Sequence, residues 1–326
     1  MVGRIVLNMS VALYKVLNPP KPPGPTFGFG ALPPVEFPTP VAQIDSYRLE
    51  TRTGSFPAFP NVLPVYFIPV NKVGLFSADR AKQIAASLGF VFPPEELSST
   101  EYRWKRTVPL PATLDINIVT LQLKMKTDWA SDPNFLARKS LPQQNAVGNE
   151  ARNILRNANL LLPDMATGEA RVSFLKSSGV SYRTAVSYSE ADFLQVDVFR
   201  TMRFQQYPIL RYDPSLGNAR LIYSGSSVKD QRLLDFSYSA STIDYETVET
   251  YPLITAAQAF EMLKAGQGYV AQANAGITQA VVRNVSLAYF DSDTEQHYLQ
   301  PIYVFSGDAG FVGYVPAVSA VMPVKK

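Results

Sequence analysis

The chain has 326 residues, 46% hydrophobic and 17% charged, which is enough apolar material for two domains or three small ones. It has no cysteine and a single histidine, His297, which excludes disulfides, cysteine nucleophiles, thiolate metal sites and zinc sites built from several imidazoles. The 30 basic residues are spread evenly among 27 acidic ones, which gives a net charge of +3. Nucleic-acid binding, which needs clustered basic residues, is therefore not predicted.

The N-terminal 40 residues predict a tether. Residues 5–17 are apolar but interrupted, and their 13 positions fall short of the about 20 that a membrane-spanning helix needs. We interpret residues 1–17 as a possible remnant of a membrane anchor; an amphipathic surface helix and an ordinary packed helix are the alternatives. Residues 18–40 contain nine prolines, which favour an extended, semi-rigid stem. A polyproline ligand for an aromatic groove of a partner is the other interpretation of this stem.

The middle of the chain predicts a β-rich α+β fold, made of serial units of antiparallel sheet that are each covered by a helix. The first unit, 41–142, has a helix that begins at Ser77, whose side chain is predicted to cap it, and a strand at 113–125 that alternates between apolar and polar residues. The second unit, 143–250, has a helix at 144–161 followed by four candidate strands. No fixed repeat length appears, so a solenoid is not predicted.

The C-terminal residues, 251–326, predict a helix followed by a β-meander. Thr255 is a suitable N-cap and Gly266 a suitable helix end. Three strands are predicted after this helix: Val281–Phe290, Tyr298–Gly307 and Phe311–Val318.

Four segments of this module resemble a known family. The segments LKAGQGYVA, VSLAYFD, YLQPIYVFSG and YVPAV, within residues 251–318, resemble the C-terminal part of the Yyc-type proteins (YycH and YycI) of Gram-positive bacteria. The resemblance implies a membrane-anchored extracytoplasmic protein that regulates a cell-wall-sensing histidine kinase. It brings no catalytic residues to this chain.

Signatures of catalysis are absent from the sequence. The short motifs of serine hydrolases, zinc proteases, P-loop proteins and dinucleotide-binding proteins do not occur. Asp291, Asp293 and Glu295 are weak candidates for a calcium site or for the paired carboxylates of a glycosidase, and a solvated loop is the more natural interpretation of their close spacing at a turn. We interpret His297 as a partly exposed residue at a strand end.

Tyrosine offers the most plausible binding surface, because it combines a large contact area with a hydroxyl group. Of 17 tyrosines, several lie near the C-terminus, where ordinary core packing is the alternative. The predicted binding residues are Tyr289, Tyr298, Tyr303 and Tyr314.

These patterns predict a non-enzymatic, membrane-tethered extracytoplasmic protein with a regulatory or interaction role in a bacterial cell envelope. No cofactor is predicted. The expected partner is an envelope protein, such as a sensor kinase, or cell-wall polymer. A structural subunit of a surface assembly and a carboxylate-dependent enzyme acting on carbohydrate remain alternatives.

Overall fold

The computed structural model describes residues 24–70, 72, 74–137, 140–202 and 207–319. The predicted anchor, 1–17, lies outside the described residues. Within them the protein is a strand-rich α+β structure, which confirms the predicted fold class. No described helix is long and apolar enough to cross a membrane. The helices are α1 (Ser77–Ser87), α2 (Gln144–Asn157), α3 (Pro163–Thr167), α4 (Lys229–Arg232) and α5 (Ala256–Lys264).

In the described part of the chain, eighteen strands, numbered in chain order, form two sheets of nine strands each. In the first, which we call the antiparallel sheet, every neighbouring pair of strands is antiparallel. Its spatial order is β3 (Glu95–Glu96), β4 (Glu101–Arg106), β5 (Ala112–Asn117), β6 (Leu123–Thr127), β13 (Leu233–Tyr238), β12 (Ala219–Tyr223), β9 (Phe193–Val198), β7 (Ala170–Ser178) and β8 (Ser181–Thr184).

The second sheet, which we call the mixed sheet, contains both parallel and antiparallel pairs. Its main path is β10 (Arg200–Thr201), β11 (Pro208–Leu210), β16 (Gln279–Phe290), β17 (Tyr298–Gly307), β18 (Val312–Pro316) and β15 (Tyr269–Gln272). Strand β1 (Ser46–Leu49) pairs with β16. Strand β2 (Val62–Phe67) pairs with both β17 and β14 (Asp244–Pro252).

The predicted boundaries at 142 and 250 do not coincide with the limits of the sheets. Strand β6 of the first predicted unit pairs with β13 of the second, with Met125 opposite Phe236. Strands β1 and β2 of the first unit join the mixed sheet with the C-terminal meander. Apolar alternation determines which face of a strand is buried, but it does not determine the neighbouring strand.

The predicted strand at 113–125 is a hairpin of two strands, β5 and β6, so this prediction is wrong. The Asn117 side chain accepts hydrogen bonds from the backbone N–H groups of Val119 (3.0 Å) and Thr120 (2.9 Å), which is the geometry of an Asx turn. Leu121 has a φ of 60°. Apolar alternation continues through the turn because Leu121 is buried there.

Three helix ends, on two helices, show how well capping can be predicted. Thr255 caps α5 in a reciprocal capping box with Gln258, as predicted, and Gly266 follows the helix with a φ of 74°. The predicted cap of α1 is wrong, because Phe76 occupies the cap position and Ser77 Oγ accepts a hydrogen bond from the Gly74 N–H.

The described part of the predicted proline-rich stem, residues 24–40, lies against the mixed sheet; we call it the strap. The Phe37 ring stacks on Tyr269, with ring centroids 5.2 Å apart, and meets the edge of Phe290 at 4.8 Å. The Phe27 ring packs against Tyr251. The prediction of an extended stem that stands free of the rest of the protein is therefore wrong for these residues.

Hydrogen bonds hold the same strap along its length. Thr26 N–H donates to the Thr250 carbonyl at 3.0 Å, and the Tyr251 hydroxyl donates to the Gly30 carbonyl at 2.9 Å. Gln300 Nε2 donates to the Pro33 carbonyl at 2.9 Å. Proline removes backbone donors but leaves carbonyls free to accept, so a proline-rich segment can still be fastened in this way.

The main cores lie between helices and sheets. Helices α1 and α2 pack on one face of the antiparallel sheet, which we call its inner face, through Ile84 and Leu155. Helix α5 packs on the mixed sheet through Phe260 and Leu263. Among the residues that the structure describes, a cluster around Trp129 covers one end of the opposite face of the antiparallel sheet, its outer face.

Candidate functional site

A polar cleft of about 330 Å³ lies where the outer face of the antiparallel sheet meets the turn between β16 and β17. Strands β4, β5, β6 and β13 form its floor. Arg211 and Asp293 close one side. The charged residues that line it are Glu101, Asp115, Lys124, Arg211 and Asp293.

Each carboxylate of the cleft is held by a donor. Asp115 accepts two hydrogen bonds from Arg103, Nε to Oδ1 at 2.6 Å and Nη2 to Oδ2 at 2.7 Å. Asp293 accepts from Arg211 Nε at 3.1 Å and lies within 3.1 Å of Ser239 Oγ. Glu101 accepts from Asn117 Nδ2 at 2.6 Å. Paired in this way, the carboxylates present fixed charge and hydrogen-bonding groups.

The cleft belongs to a longer feature, a row of polar residues that crosses eight strands at directly opposed positions; we call it the charged row. Positive and negative side chains alternate along most of it. At about 4.8 Å between strands, it spans about 34 Å. Its members are Glu95, Arg103, Asp115, Lys124, Ser237, Arg220, Asp197 and Arg171.

Strand alternation places this row on the outer face. Trp104, Leu114 and Met125 are the chain neighbours of three row members, and all three pack in the core beneath α1 and α2. Because successive side chains of a strand point to opposite faces, the row members point outward. Opposite charges at directly opposed positions also stabilise the sheet, by about 0.2–1 kcal/mol for each pair.

A buried ionic network joins the two sheets behind the cleft. Arg200 of β10, which is 1% exposed, donates from Nη2 to Asp164 at 2.7 Å and from Nη1 to Asp291 at 2.8 Å. Asn218, next to β12, donates to Asp291 at 2.9 Å, and the Tyr245 hydroxyl donates to Asp164 at 2.7 Å. Asp291 is two residues from Asp293, so this network fixes one wall of the cleft.

The carboxyl groups of Asp235 and Asp291 have raised pKa values, and both lie away from the cleft. Burial raises the pKa of Asp235, against the backbone N–H of Thr127 and the charge of Lys126, which lower it. Burial also raises the pKa of Asp291, and Arg200 opposes that change. Neither side chain lines the cleft.

The three carboxylates predicted from the sequence do not converge. Asp291 points inward to Arg200, and Asp293 is paired with Arg211. Glu295 Oε1 lies 3.9 Å from Nε2 of His297, whose side chain is about half exposed. Among the described residues, no group of three or more histidine or carboxylate side chains is placed to hold a metal ion. Glu295 and Asp291 are also absent from the cleft lining.

The predicted tyrosine binding surface is wrong for three of its four residues. Tyr289, Tyr303 and Tyr314 are at most 1% exposed. Tyr289 and Tyr303 use their hydroxyls internally, donating to the carbonyls of Pro64 (2.9 Å) and Ile254 (2.8 Å). Burial raises the pKa of each of these three hydroxyls.

The fourth predicted tyrosine, Tyr298, is partly buried. Its ring packs against Phe29 of the strap, with centroids 4.8 Å apart, and against Phe67. The strap and α5 cover the two faces on which these four tyrosines lie. Sequence patterns predict how side chains alternate between the two faces along β16 and β17. They do not predict that both faces are covered.

The charged row is not among the predicted sites, although part of its signal is visible in the sequence. On three successive strands the outward positions are charged or polar: Arg103 and Lys105, Asp115 and Asn117, Lys124 and Lys126. The last residue of β4, Arg106, is buried over the Phe90 ring, 5.0 Å from the centroid.

Comparison with known proteins reveals a distant structural likeness and no family. No protein-family model matches the chain, and no curated protein matches it. Among solved structures, an uncharacterized protein from Eubacterium rectale, determined at 1.45 Å resolution, is similar with a TM-score of 0.40 and 10% sequence identity. The match covers 86% of this chain and 92% of that one. A likeness at that level carries no argument about function.

Proposed function

We propose that this chain is a non-enzymatic, membrane-tethered extracytoplasmic protein that binds a protein partner of the cell envelope through the cleft and the charged row. Modulation of a sensor kinase, which the resemblance to the Yyc-type proteins implies, would be one form of this role. Residues 1–17 would supply the tether, and the strap would connect that tether directly to the mixed sheet.

The observation that supports this proposal most strongly is the charged row on the outer face. Alternating charges that are fixed by ion pairs give a surface a defined electrostatic pattern, and such patterns select partners and speed their association. Lys124 stands in the centre of the row, at the cleft, and is exposed. A protein partner fits a surface about 34 Å long better than a small ligand does.

Cell-wall polymer is less well supported as the partner. Sites for small molecules are lined mainly by apolar and aromatic side chains, with few polar groups. The lining of this cleft is largely polar, and its aromatic member, Tyr238, is 4% exposed. A sugar ring would therefore find little aromatic surface on which to pack.

The carboxylate enzyme is the second candidate, because three carboxylates share one cleft. A glycosidase needs one carboxylic acid with a raised pKa beside a second carboxylate. Here each carboxylate of the cleft is already held by an arginine or asparagine side chain. Binding is therefore the better supported role for the cleft carboxylates.

The test is site-specific photo-crosslinking in native envelope membranes. A photoreactive residue at Ser237, in the cleft, should capture a defined partner in the full-length protein. Lys124→Glu should reduce that capture at least tenfold, because it reverses a charge of the row. Lys82→Glu makes the same charge change on α1, which packs on the inner face, and should leave capture unchanged.

Two outcomes contradict the proposal. Equal capture by the Lys124→Glu and Lys82→Glu variants would mean that the row does not bind the partner. Release of sugar from purified cell wall, abolished by Asp115→Asn in a protein that still folds, would favour the enzyme instead.

A further inference from the structure

The N-terminal half of β7 is an open sheet edge. Strand β8 pairs only with Leu175–Ser178 of β7, whereas β9 pairs with Ala170–Leu175 on the other side. Residues 170–173 therefore have a neighbouring strand on one side only. Proteins usually shield such edges, because the unpaired backbone groups can pair with another chain.

The hydrogen bonds around β7 show which backbone groups face this edge. The Phe174 carbonyl accepts from the Ala185 N–H at 2.9 Å, on the β8 side. The carbonyls of Leu175 and Glu169 accept from N–H groups on the opposite side, those of Asp192 and Phe199, both at 2.9 Å. Backbone groups alternate in direction along a strand. Even-numbered residues of β7 therefore direct their backbone groups to the edge, and odd-numbered residues direct theirs to β9.

Ala170 and Val172 consequently present two N–H donors and two carbonyl acceptors to the edge. None of these four groups has a hydrogen-bond partner among the described residues. Two residues of a strand span about 7 Å, so the four groups form an evenly spaced template. The segment that satisfies such a template best is another extended backbone.

A groove of about 860 Å³ runs along this edge. The first turn of α2 forms one wall, and α2 packs so closely on β7 that a Cβ added to Gly148 would lie 3.1 Å from the Ala170 Cβ. Tyr188 forms an end wall: its ring meets the edge of Phe174 at 6.1 Å, and its hydroxyl donates to the Leu141 carbonyl at 3.1 Å.

We propose that this groove accepts an extended segment of a protein partner, which adds to the antiparallel sheet as a strand beside Ala170 and Val172. Edge-to-edge pairing with a second copy would bring two sets of walls together, so a partner's segment is the favoured occupant. The inference rests on the proposed function only in taking the partner to be a protein, because the groove is separate from the cleft.

The side chains of the groove indicate the chemistry of that segment. The α2 wall offers the amides of Gln143, Gln144 and Asn145, and Arg171 lies on the other side, paired with Glu169 at 3.1 Å. Amide groups donate and accept hydrogen bonds equally well. We therefore expect an uncharged polar segment without proline at the two pairing positions.

The test uses Val172→Pro in the full-length protein, with Val172→Thr as the matched control. Proline removes the edge-facing N–H and obstructs a pairing strand, but an edge position tolerates it because that N–H takes no part in pairing with β9. Threonine keeps both the N–H and the branched shape. Unfolding in urea should confirm that both variants remain folded.

The probe is a displayed library of random 12-residue peptides, selected on the wild-type protein. Selected peptides should bind Val172→Thr as well as wild type and bind Val172→Pro at least tenfold more weakly. Hydrogen exchange of the Ala170 and Val172 amides should slow at least tenfold when a selected peptide is added. Binding should survive Lys124→Glu, which separates this inference from the proposed function.

Three results would overturn the inference. The first is that no peptide is enriched, and the second is that enriched peptides bind Val172→Pro undiminished. The third is a dimer in analytical ultracentrifugation that Val172→Pro dissociates, since this would show that a second copy occupies the edge.

Discussion

The two sheets have the same number of strands, yet their faces are covered very differently. The mixed sheet has α5 on one face and aromatic rings of the strap on the other, so Tyr303 and Tyr314 on it are fully buried. Among the described residues, the antiparallel sheet has α1 and α2 on its inner face, and its outer face, which the cluster around Trp129 covers at one end, carries the charged row. The mixed sheet is therefore built as a core, and the antiparallel sheet is built to leave one polar face free.

Under the proposed function, this difference would give the two regions separate roles. A sheet covered on both faces offers little to a partner, but it could hold the chain that leads to the proposed tether. A sheet with one free face could bind, provided that its position relative to that tether is fixed. The network around Arg200 provides that fixed position, since it joins groups from both sheets.

The largest expected effect comes from breaking that junction. Arg200→Met should lower the free energy of unfolding by about 3–5 kcal/mol, because it leaves Asp164 and Asp291 buried without a positive partner. Urea unfolding monitored by tryptophan fluorescence measures this, as both tryptophans, Trp104 and Trp129, belong to the antiparallel sheet region.

The matched control for this change is Arg48→Met, which removes an exposed arginine paired with Glu50. Its effect should stay within about 0.5 kcal/mol. Replacing Arg200, Asp164 and Asp291 together by apolar residues should cost less than Arg200→Met alone, because no charge is then left unpaired. If Arg200→Met lowers the free energy of unfolding as little as Arg48→Met does, the stability of the two sheets does not depend on this junction.

The second effect distinguishes a strap from a free spacer. Phe37→Ala should lower the free energy of unfolding by about 2–3 kcal/mol, somewhat below the usual cost for a fully buried phenylalanine because Phe37 is half-buried. Phe76→Ala, at a residue that is 73% exposed, is the control and should change stability by less than about 0.5 kcal/mol. Equal effects would contradict the placement of residues 24–40 on the mixed sheet.

The third effect is smaller and concerns the tyrosines. Tyr303→Phe should cost about 1 kcal/mol, because it leaves the Ile254 carbonyl without its donor. The same variant should capture the envelope partner as well as wild type does, since Tyr303 is buried. A loss of capture without a loss of stability would restore the tyrosine surface that the sequence predicts.

The sequence predicts local structure here better than it predicts long-range pairing. The α5 cap at Thr255, the stop at Gly266 and the three C-terminal strands depend on neighbouring residues, and all of them are confirmed. The fate of the strap depends on Tyr269 and Phe290, more than 200 residues away. Proline content describes stiffness, and it does not show whether a surface elsewhere in the chain will bind the segment.

The candidate site illustrates the same limit. The outward charges of β4, β5 and β6 can be found from alternation alone, and they predict a polar face. The continuation of the row through Arg220 and Asp197 cannot be found in this way, because it depends on the pairing of β6 with β13. These two strands are separated by 105 residues of the chain. The closing of the cleft by Asp293 depends in turn on how the two sheets meet.

The smallest expected effect is a change in the pH dependence of stability when Asp235 is replaced. Asp235 lies between the covered and the free parts of the outer face. Burial raises the pKa of this carboxyl, so the folded state binds its proton more tightly than the unfolded state does. Its contribution to stability is therefore fully present below the unfolded pKa, about 3.9, and is lost as pH rises through the folded pKa. Asp235→Asn does not ionise and still offers an oxygen to the Thr127 N–H.

The variant should consequently gain stability relative to wild type as pH rises from about 4 to about 8, measured by urea unfolding at each pH. Asp244→Asn should show the opposite sign, because hydrogen bonds from Thr247 and Glu246 lower the pKa of Asp244 and its contribution is lost as pH falls. Lys126→Met should make the stability contribution of Asp235 fall more steeply as pH rises, since Lys126 lowers the pKa of Asp235. Parallel curves for wild type and Asp235→Asn would mean that water reaches this carboxyl, and that the outer face is open even beside the cluster around Trp129.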